Sequence, residues 1–378
     1  MIFSVAVPVL GQAKFLSTAL ESLAAQSPEF QIAVMDATPD DSVQRVLSAY
    51  APLLHYTRHG ADEGQSAAIQ EGWDRTSGDI VSWLCADDYL FPYAFHEVEK
   101  IFRDQPHVDV VYGDSIFVNE SGHFLRYFPA INSDISRIGR DCCVSQPSCF
   151  VRRTAMERVG KLNQDLHYVM DWDLWTRLFE MGATFFYMQK PLSAVRIYQG
   201  TKTSSKSSRR FSEIWDHLAK HTGYFRALRS LVSFHLIDFY YREFGSPSVS
   251  IFKRFLFYAF DTLQRILTRL TPRHTSHGTT LYGLENRTNR VRGQCQIHLP
   301  IFGGRRLSSI VVVVEDARGL QAIVNGKESR CLVSENRGQE CRHVFEIPRP
   351  QQHNQHHFHI SLQSVEPIDW KVISVHFE

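Results

Sequence analysis

The sequence predicts an α/β protein with a mostly parallel sheet, followed by a basic helical segment and a C-terminal all-β sandwich. Three observations carry this. Short β-branched runs alternate with stretches of helical period over the first 120 residues, basic residues accumulate between Lys206 and Arg273, and after residue 280 the apolar period drops to two. At 378 residues the chain is too long for a single core, and the expected divisions are 1–205, 206–275 and 280–378.

Taken in order, residues 2–7, 32–35, 53–56, 79–84 and 108–112 read as strands, and 13–25, 41–50, 65–76 and 92–103 as helices. Such alternation implies βαβ units. Open parallel sheets gather ligands beyond the carboxyl ends of their strands, so residues 8–12, 36–41, 59–65 and 85–88 are the ones to inspect.

Residues 206–273 hold twelve Lys or Arg against five Asp or Glu, a local excess in a chain of net charge +1. Within them Ile251, Phe255, Tyr258, Leu263, Ile266 and Leu270 share a helical face flanked by Lys253, Arg254, Arg265 and Arg269. Two readings stand, a helix packed on the first domain or one resting on an anionic membrane surface. A linker at 271–278 leads into about seven alternating runs, with Asn325-Gly326 as a hairpin turn, and these suggest the sandwich. That module offers an oligomer contact or, through Tyr282 or Trp370, a surface for stacking on a sugar ring. His353, His356, His357 and His359 cluster there, but only two of them share a strand face, which argues against a metal.

Balanced charge, 41 basic against 40 acidic residues, gives no reason to expect a nucleic-acid partner. Seven cysteines from Cys85 to Cys341 suit a reducing compartment. No run approaches the ~20 apolar residues of a membrane span, and the first residues lack the basic start of a signal peptide. The expectation is a cytoplasmic protein, with peripheral contact at the cytoplasmic face of the membrane as an option.

The fourth strand delivers Cys85-Ala86-Asp87-Asp88. Two carboxylates at a strand end repel each other unless something positive lies beside them. A divalent cation bridging to a diphosphate is one solution, and an N-cap by Asp88 for the next helix is the other.

Four stretches set these carboxylates in context: residues 4–8 with 12–26, 34–40, 62–72 and 76–88. They resemble, in order and approximate spacing, the family 2 glycosyltransferases, enzymes of the GT-A fold, and the resemblance runs over roughly residues 2–205. A second block, Gln146-Pro147-Ser148-Cys149 and then Tyr168-Val169-Met170-Asp171-Trp172-Asp173, continues it.

The resemblance implies a Rossmann-like GT-A domain and roles for particular residues. Pro8, Asp36, Asp62, Gly64, Gln65 and Asp87 fall on the nucleotide and donor side, with Asp36 as the acceptor for a base imide and Asp87 near the ribose. Asp88 matches the ligand for Mn²⁺ or Mg²⁺, and Asp171 the base that takes a proton from the acceptor hydroxyl. Asp173 is the alternative base; with Trp172 and Asp114, of Tyr112-Gly113-Asp114, it falls toward the acceptor. Turn and capping roles remain open for Asp36, Asp62 and Asp114.

One departure stands out. The family usually closes its catalytic domain with Arg-x-His, but here the segment is Arg196-Ile197-Tyr198, and a neutral phenol is a poor ligand for a hard cation. Tyr198 would then hydrogen-bond the diphosphate while Arg196 or Lys202 supplies charge. No Gln-x-x-Arg-Trp run, the mark of processive synthases, follows the base segment. The expectation is inverting, metal-assisted, one-sugar-at-a-time transfer from a nucleotide sugar, a UDP-sugar foremost, to a glycan or lipid-linked acceptor in cell-surface polysaccharide synthesis. A nucleotidyltransferase and an inactive glycan-binding protein are the alternatives.

Overall fold

The computed structural model describes residues 1–128, 135–202, 207–228, 230–231, 280–285, 289–302, 307–317, 319–348, 357–365 and 368–378. The apolar stripe at 251–270, the linker at 271–278, and His353 and His356 lie outside the described residues.

The chain opens with β1 (Phe3–Val9), α1 (Ala13–Ala24), β2 (Phe30–Asp36), α2 (Ser42–Ala49), β3 (Leu54–His59), α3 (Gln65–Asp74) and β4 (Ile80–Trp83). β1 pairs in parallel with β2 on one side and β4 on the other, and β2 pairs in parallel with β3. The order 3-2-1-4 reverses direction at β1, which opens a crevice between the carboxyl ends of β1 and β4. Burial follows position: all seven residues of β1 are buried, whereas β3, at the edge, alternates partly buried with exposed. Helix α3 lies hard against β1 because residue 72 is glycine; a Cβ there would come within 2.8 Å of the Ala6 Cβ.

The chain continues through β5 (Tyr89–Leu90), α4 (Ala94–Asp104), β6 (Val110–Val118), β7 (Phe124–Tyr127), β8 (Cys149–Arg152), α5 (Arg153–Val159), α6 (Met170–Glu180), β9 (Phe185–Arg196) and α7 (Ser208–Thr222). β8 inserts antiparallel between β4 and β6, and β9 runs parallel to β6, so the sheet is mixed beyond β4. The fifth strand extends six residues past its expected end at Tyr112, and all nine residues of β6 are buried. Its period gave no warning, because Gly113, Asp114 and Ser115 interrupt the apolar run.

After the undescribed stretch come β10 (Thr280–Leu281), β11 (Leu284–Glu285), β12 (Arg290–Arg292), β13 (Gln294–Pro300), β14 (Ser309–Glu315), β15 (Leu320–Val324), β16 (Lys327–Ser329), β17 (Cys331–Arg337), β18 (Glu340–Glu346), β19 (His357–Ser364) and β20 (Asp369–Phe377). The β15–β16 turn places Asn325 at φ +51° and Gly326 at φ +79°, the positive values a tight hairpin needs. This strand-rich region forms two sheets over one core, with β13, β19, β15 and β16 in the separate sheet. The other sheet continues the main one, since β20 meets β7 at Val375 and Phe124. Tyr89, Phe91, Ile116 and Phe124 share a core with Val312, Ile360 and Trp370.

That shared core corrects the sugar-stacking reading. Trp370 is 1% exposed, and Tyr282 sits against Tyr127 with its hydroxyl on Asp114, so neither ring presents a free face. Both are held by the catalytic half or by the core next to it.

Candidate active site

The crevice is built from the residues that follow the strands. β4 ends at Trp83, and the turn after it carries Cys85, Asp87 and Asp88. The Cys85 sulfur and one oxygen of each carboxylate lie within 4.8 Å of one another. Asp88 is 7% exposed; one of its oxygens accepts the Arg196 backbone N–H at 2.9 Å. Asp87 accepts the Tyr198 hydroxyl at 3.0 Å. Burial, and next the charge of Asp87, push the Asp88 carboxyl well above the usual carboxylate range, against the opposing pull of Arg196. Burial likewise raises Asp87, with Tyr198 and its own backbone N–H opposing.

Arg196 holds this turn in place. Its Nε donates to the Asp87 carbonyl and its Nη1 to the carbonyls of Asn119 and Glu120, while the guanidinium lies over Phe15 at 4.6 Å. At 5% exposure with these bonds made, it is a strut for the carboxylates and offers no open fork to a diphosphate. Of the two residues expected to supply charge, Arg196 or Lys202, Arg196 is thus committed to the turn.

Lys202 Nζ lies 2.6 Å from Gln65 Oε1 and 3.1 Å from the His167 carbonyl. Gln65 in turn donates to the Cys85 sulfur at 3.3 Å. Gln65 opens α3, where Gly64 at φ +109° turns the chain in, and the Asp62 carboxylate accepts the Gly64 N–H at 2.9 Å. Its other oxygen meets Arg58, 3.3 Å away. Asp62 thus shapes the entry to α3.

Asp171 begins α6 and is partly exposed, accepting the Trp172 N–H at 2.8 Å. Burial raises its carboxyl above the ordinary range, opposed by the Trp172 and Asp171 N–H groups and by the Lys202 charge. Lys202, lowered by its own burial, lies within electrostatic reach of Asp171 at the α6 terminus, and through Gln65 it is linked by hydrogen bonds to Cys85 in the turn that carries Asp87 and Asp88. The loop before α6 is fixed by Glu213 of α7, which accepts the N–H groups of His167 and Tyr168 at 3.0 and 2.6 Å. Sequence reasoning missed Glu213: it sits in the basic segment, and nothing local marks its reach to the loop.

The remaining candidates fall elsewhere. Asp173, buried, is paired with Arg177 at 2.7 Å, one turn along the helix, which removes it as a rival base. Trp172 donates its indole N–H to the Ile138 carbonyl and packs on His217, so it is held inside the fold. Asp114 is fully buried, with Tyr187 and Tyr282 donating to its two oxygens at 2.7 Å each, and it ties the C-terminal region to β6. Pro8 is buried in β1 beside Met35. Asp36, fully buried at the end of β2, receives Thr38 N–H, Gln44 Nε2 and the His59 ring at 2.9, 3.0 and 2.7 Å.

The open α/β sheet of order 3-2-1-4 thus carries paired acids just past β4 and a further acid in the first turn of α6. The chain belongs to glycosyl transferase family 2, whose profile matches residues 4–192, half its length. An uncharacterized glycosyltransferase of Rickettsia prowazekii is 23% identical over 236 residues, spanning 57% of this chain and 71% of that protein. A PGL/p-HBAD biosynthesis glycosyltransferase of Mycobacterium tuberculosis is 28% identical over 186 residues, 48% of this chain and 71% of its own. Among solved structures, S. aureus TarS 1-349 in complex with UDP-GlcNAc is 17% identical, with a TM-score of 0.49 over 67% of this chain and 78% of that one. Among the described residues no helix is long and apolar enough to cross a membrane.

Proposed function

We propose that the chain transfers one sugar at a time, with inversion, from a nucleoside-diphosphate sugar, a UDP-sugar foremost, to a hydroxyl of a glycan or lipid-linked acceptor. The observation that carries this reading is the position of Lys202, joined through Gln65 to the Cys85 sulfur in the turn that carries Asp87 and Asp88 and lying within electrostatic reach of Asp171. Donor-side and acceptor-side chemistry then share one crevice.

Asp171 takes the proton from the acceptor hydroxyl as its oxygen attacks the anomeric carbon, and its raised proton affinity suits that task. Lys202 faces the departing diphosphate and stabilises the charge that develops there. Asp88, with Asp87 beside it, is the group that would hold Mn²⁺ or Mg²⁺; the clustered, charge-frustrated donors fit a divalent cation. Such a cation neutralises a diphosphate leaving group. Tyr198 stands where a histidine ligand would be and is engaged with Asp87, which supports weak cation binding until nucleotide adds its own oxygens.

The test is a binding screen of nucleotide sugars with and without Mn²⁺, followed by product analysis. Release of a nucleoside diphosphate and an inverted anomeric configuration by NMR are expected. Release of pyrophosphate would point to nucleotidyl transfer, and retained configuration would reject direct displacement.

A further inference from the structure

We propose that the Cys85 sulfur is a third protein ligand to the divalent cation, so that the centre is Cys85, Asp87 and Asp88 and prefers Mn²⁺ to Mg²⁺. This rests on the cation reading above and adds a residue and a selectivity to it.

These three side chains are the group among the described residues whose ligand atoms converge, within 4.8 Å of one another. Asp88, nine-tenths buried, spends one oxygen on the Arg196 N–H, and among the described residues no hydrogen bond is made to the other. Asp87 keeps an oxygen beyond the one Tyr198 occupies. The Cys85 side chain packs against the core that holds Trp83, and its sulfur is met by polar neighbours, Gln65 at 3.3 Å and Gln146 at 3.7 Å. It forms no disulfide. Gln146 is itself anchored on the Trp83 carbonyl at 2.7 Å, which fixes the wall behind the sulfur. With a phenol at residue 198, no imidazole supplies a borderline ligand there, and sulfur is the softest donor within reach. Thiolate suits Zn²⁺ and Co²⁺ best; Mn²⁺, harder than these, still accepts sulfur more readily than Mg²⁺, which demands oxygen. As the sulfur–metal bond forms, the thiol proton passes to solvent and no electron is transferred.

The experiment uses the full chain with UDP and Co²⁺ as a spectroscopic probe, comparing wild type, Cys85→Ser and Cys85→Ala. A sulfur-to-cobalt charge-transfer band in wild type, lost in both variants, is expected. Calorimetry should show Mn²⁺ affinity falling at least about tenfold in Cys85→Ser while Mg²⁺ affinity holds. Cobalt bound without that band, or Mn²⁺ affinity unchanged in Cys85→Ser, would overturn the sulfur ligand and leave the carboxylate site standing. Failure of wild type with UDP to bind either Co²⁺ or Mn²⁺ would remove the cation reading and this inference together. Because the band is read on wild type, a variant that folds poorly does not decide the matter.

Discussion

Two carboxylate stations, at the ends of β2 and β4 on either side of β1, are handled in opposite ways. At the end of β2, Asp36 is fully buried, yet its carboxyl is held below the usual range: burial pushes it up, and the hydrogen bonds of Gln44, Thr38 and His59 outweigh that. After β4, Asp87 and Asp88 sit above the range, because burial raises both, the charge of Asp87 raises Asp88 further, and Arg196 compensates only in part. Asp171, across the crevice, shares this elevated state. A charge that the fold satisfies is part of the scaffold. A charge that the fold leaves in tension is one a cation or a proton would relieve, and the proposed function puts its chemistry on such groups, just past β4 and at the start of α6.

Asp171→Asn should have the largest effect. With the amide unable to accept the hydroxyl proton, turnover should fall on the order of a thousandfold while donor binding, measured by calorimetry, stays near wild type. Retained turnover would put the base elsewhere and dissolve the contrast between the two sides of the crevice.

Paired amide substitutions sharpen it next. Asp88→Asn should abolish Mn²⁺-dependent nucleotide binding yet leave folding stability level or raise it, since a buried charge in tension is removed. Asp36→Asn should do the reverse on stability, costing about 1–3 kcal/mol, because buried donors lose a charged acceptor. Urea unfolding of both variants beside Mn²⁺ titrations reads the contrast directly. A stability loss in Asp88→Asn as large as that in Asp36→Asn would show that both are scaffold.

How much of this was legible in the sequence depended on how local each cause is. The first four strands and their helices follow from period alone, and Asp88 and Asp171 from strand-end and helix-start positions together with the family pattern. Asp36 was placed at its strand end, but a sequence does not show that Thr38, Gln44 and His59 converge on it. Asp114 shows the same limit, since its two tyrosine partners come from residues 187 and 282. The short β10, β11, β12 and β16 carry two or three residues each, too few to show a period. Glu213 was invisible because its work is done on backbone N–H groups 45 and 46 residues away.

The smallest expected effect is a displacement of the pH–rate profile, and it tests whether the tension at Asp171 is functional. In the proposed mechanism the base, Asp171, must be ionised. Its raised proton affinity therefore moves the acid limb of kcat above the ordinary carboxylate value of about 4. Lys202 favours the ionised form, so removing that ammonium leaves burial less opposed and raises the proton affinity further. In Lys202→Met the limb should move to higher pH than in wild type, on top of any weakening of donor binding, which appears in KM. Measuring kcat at saturating donor across pH separates the two. An acid limb that stays put in Lys202→Met would mean that the ammonium and the carboxylate do not act on one another, and the shared crevice would lose its electrostatic link.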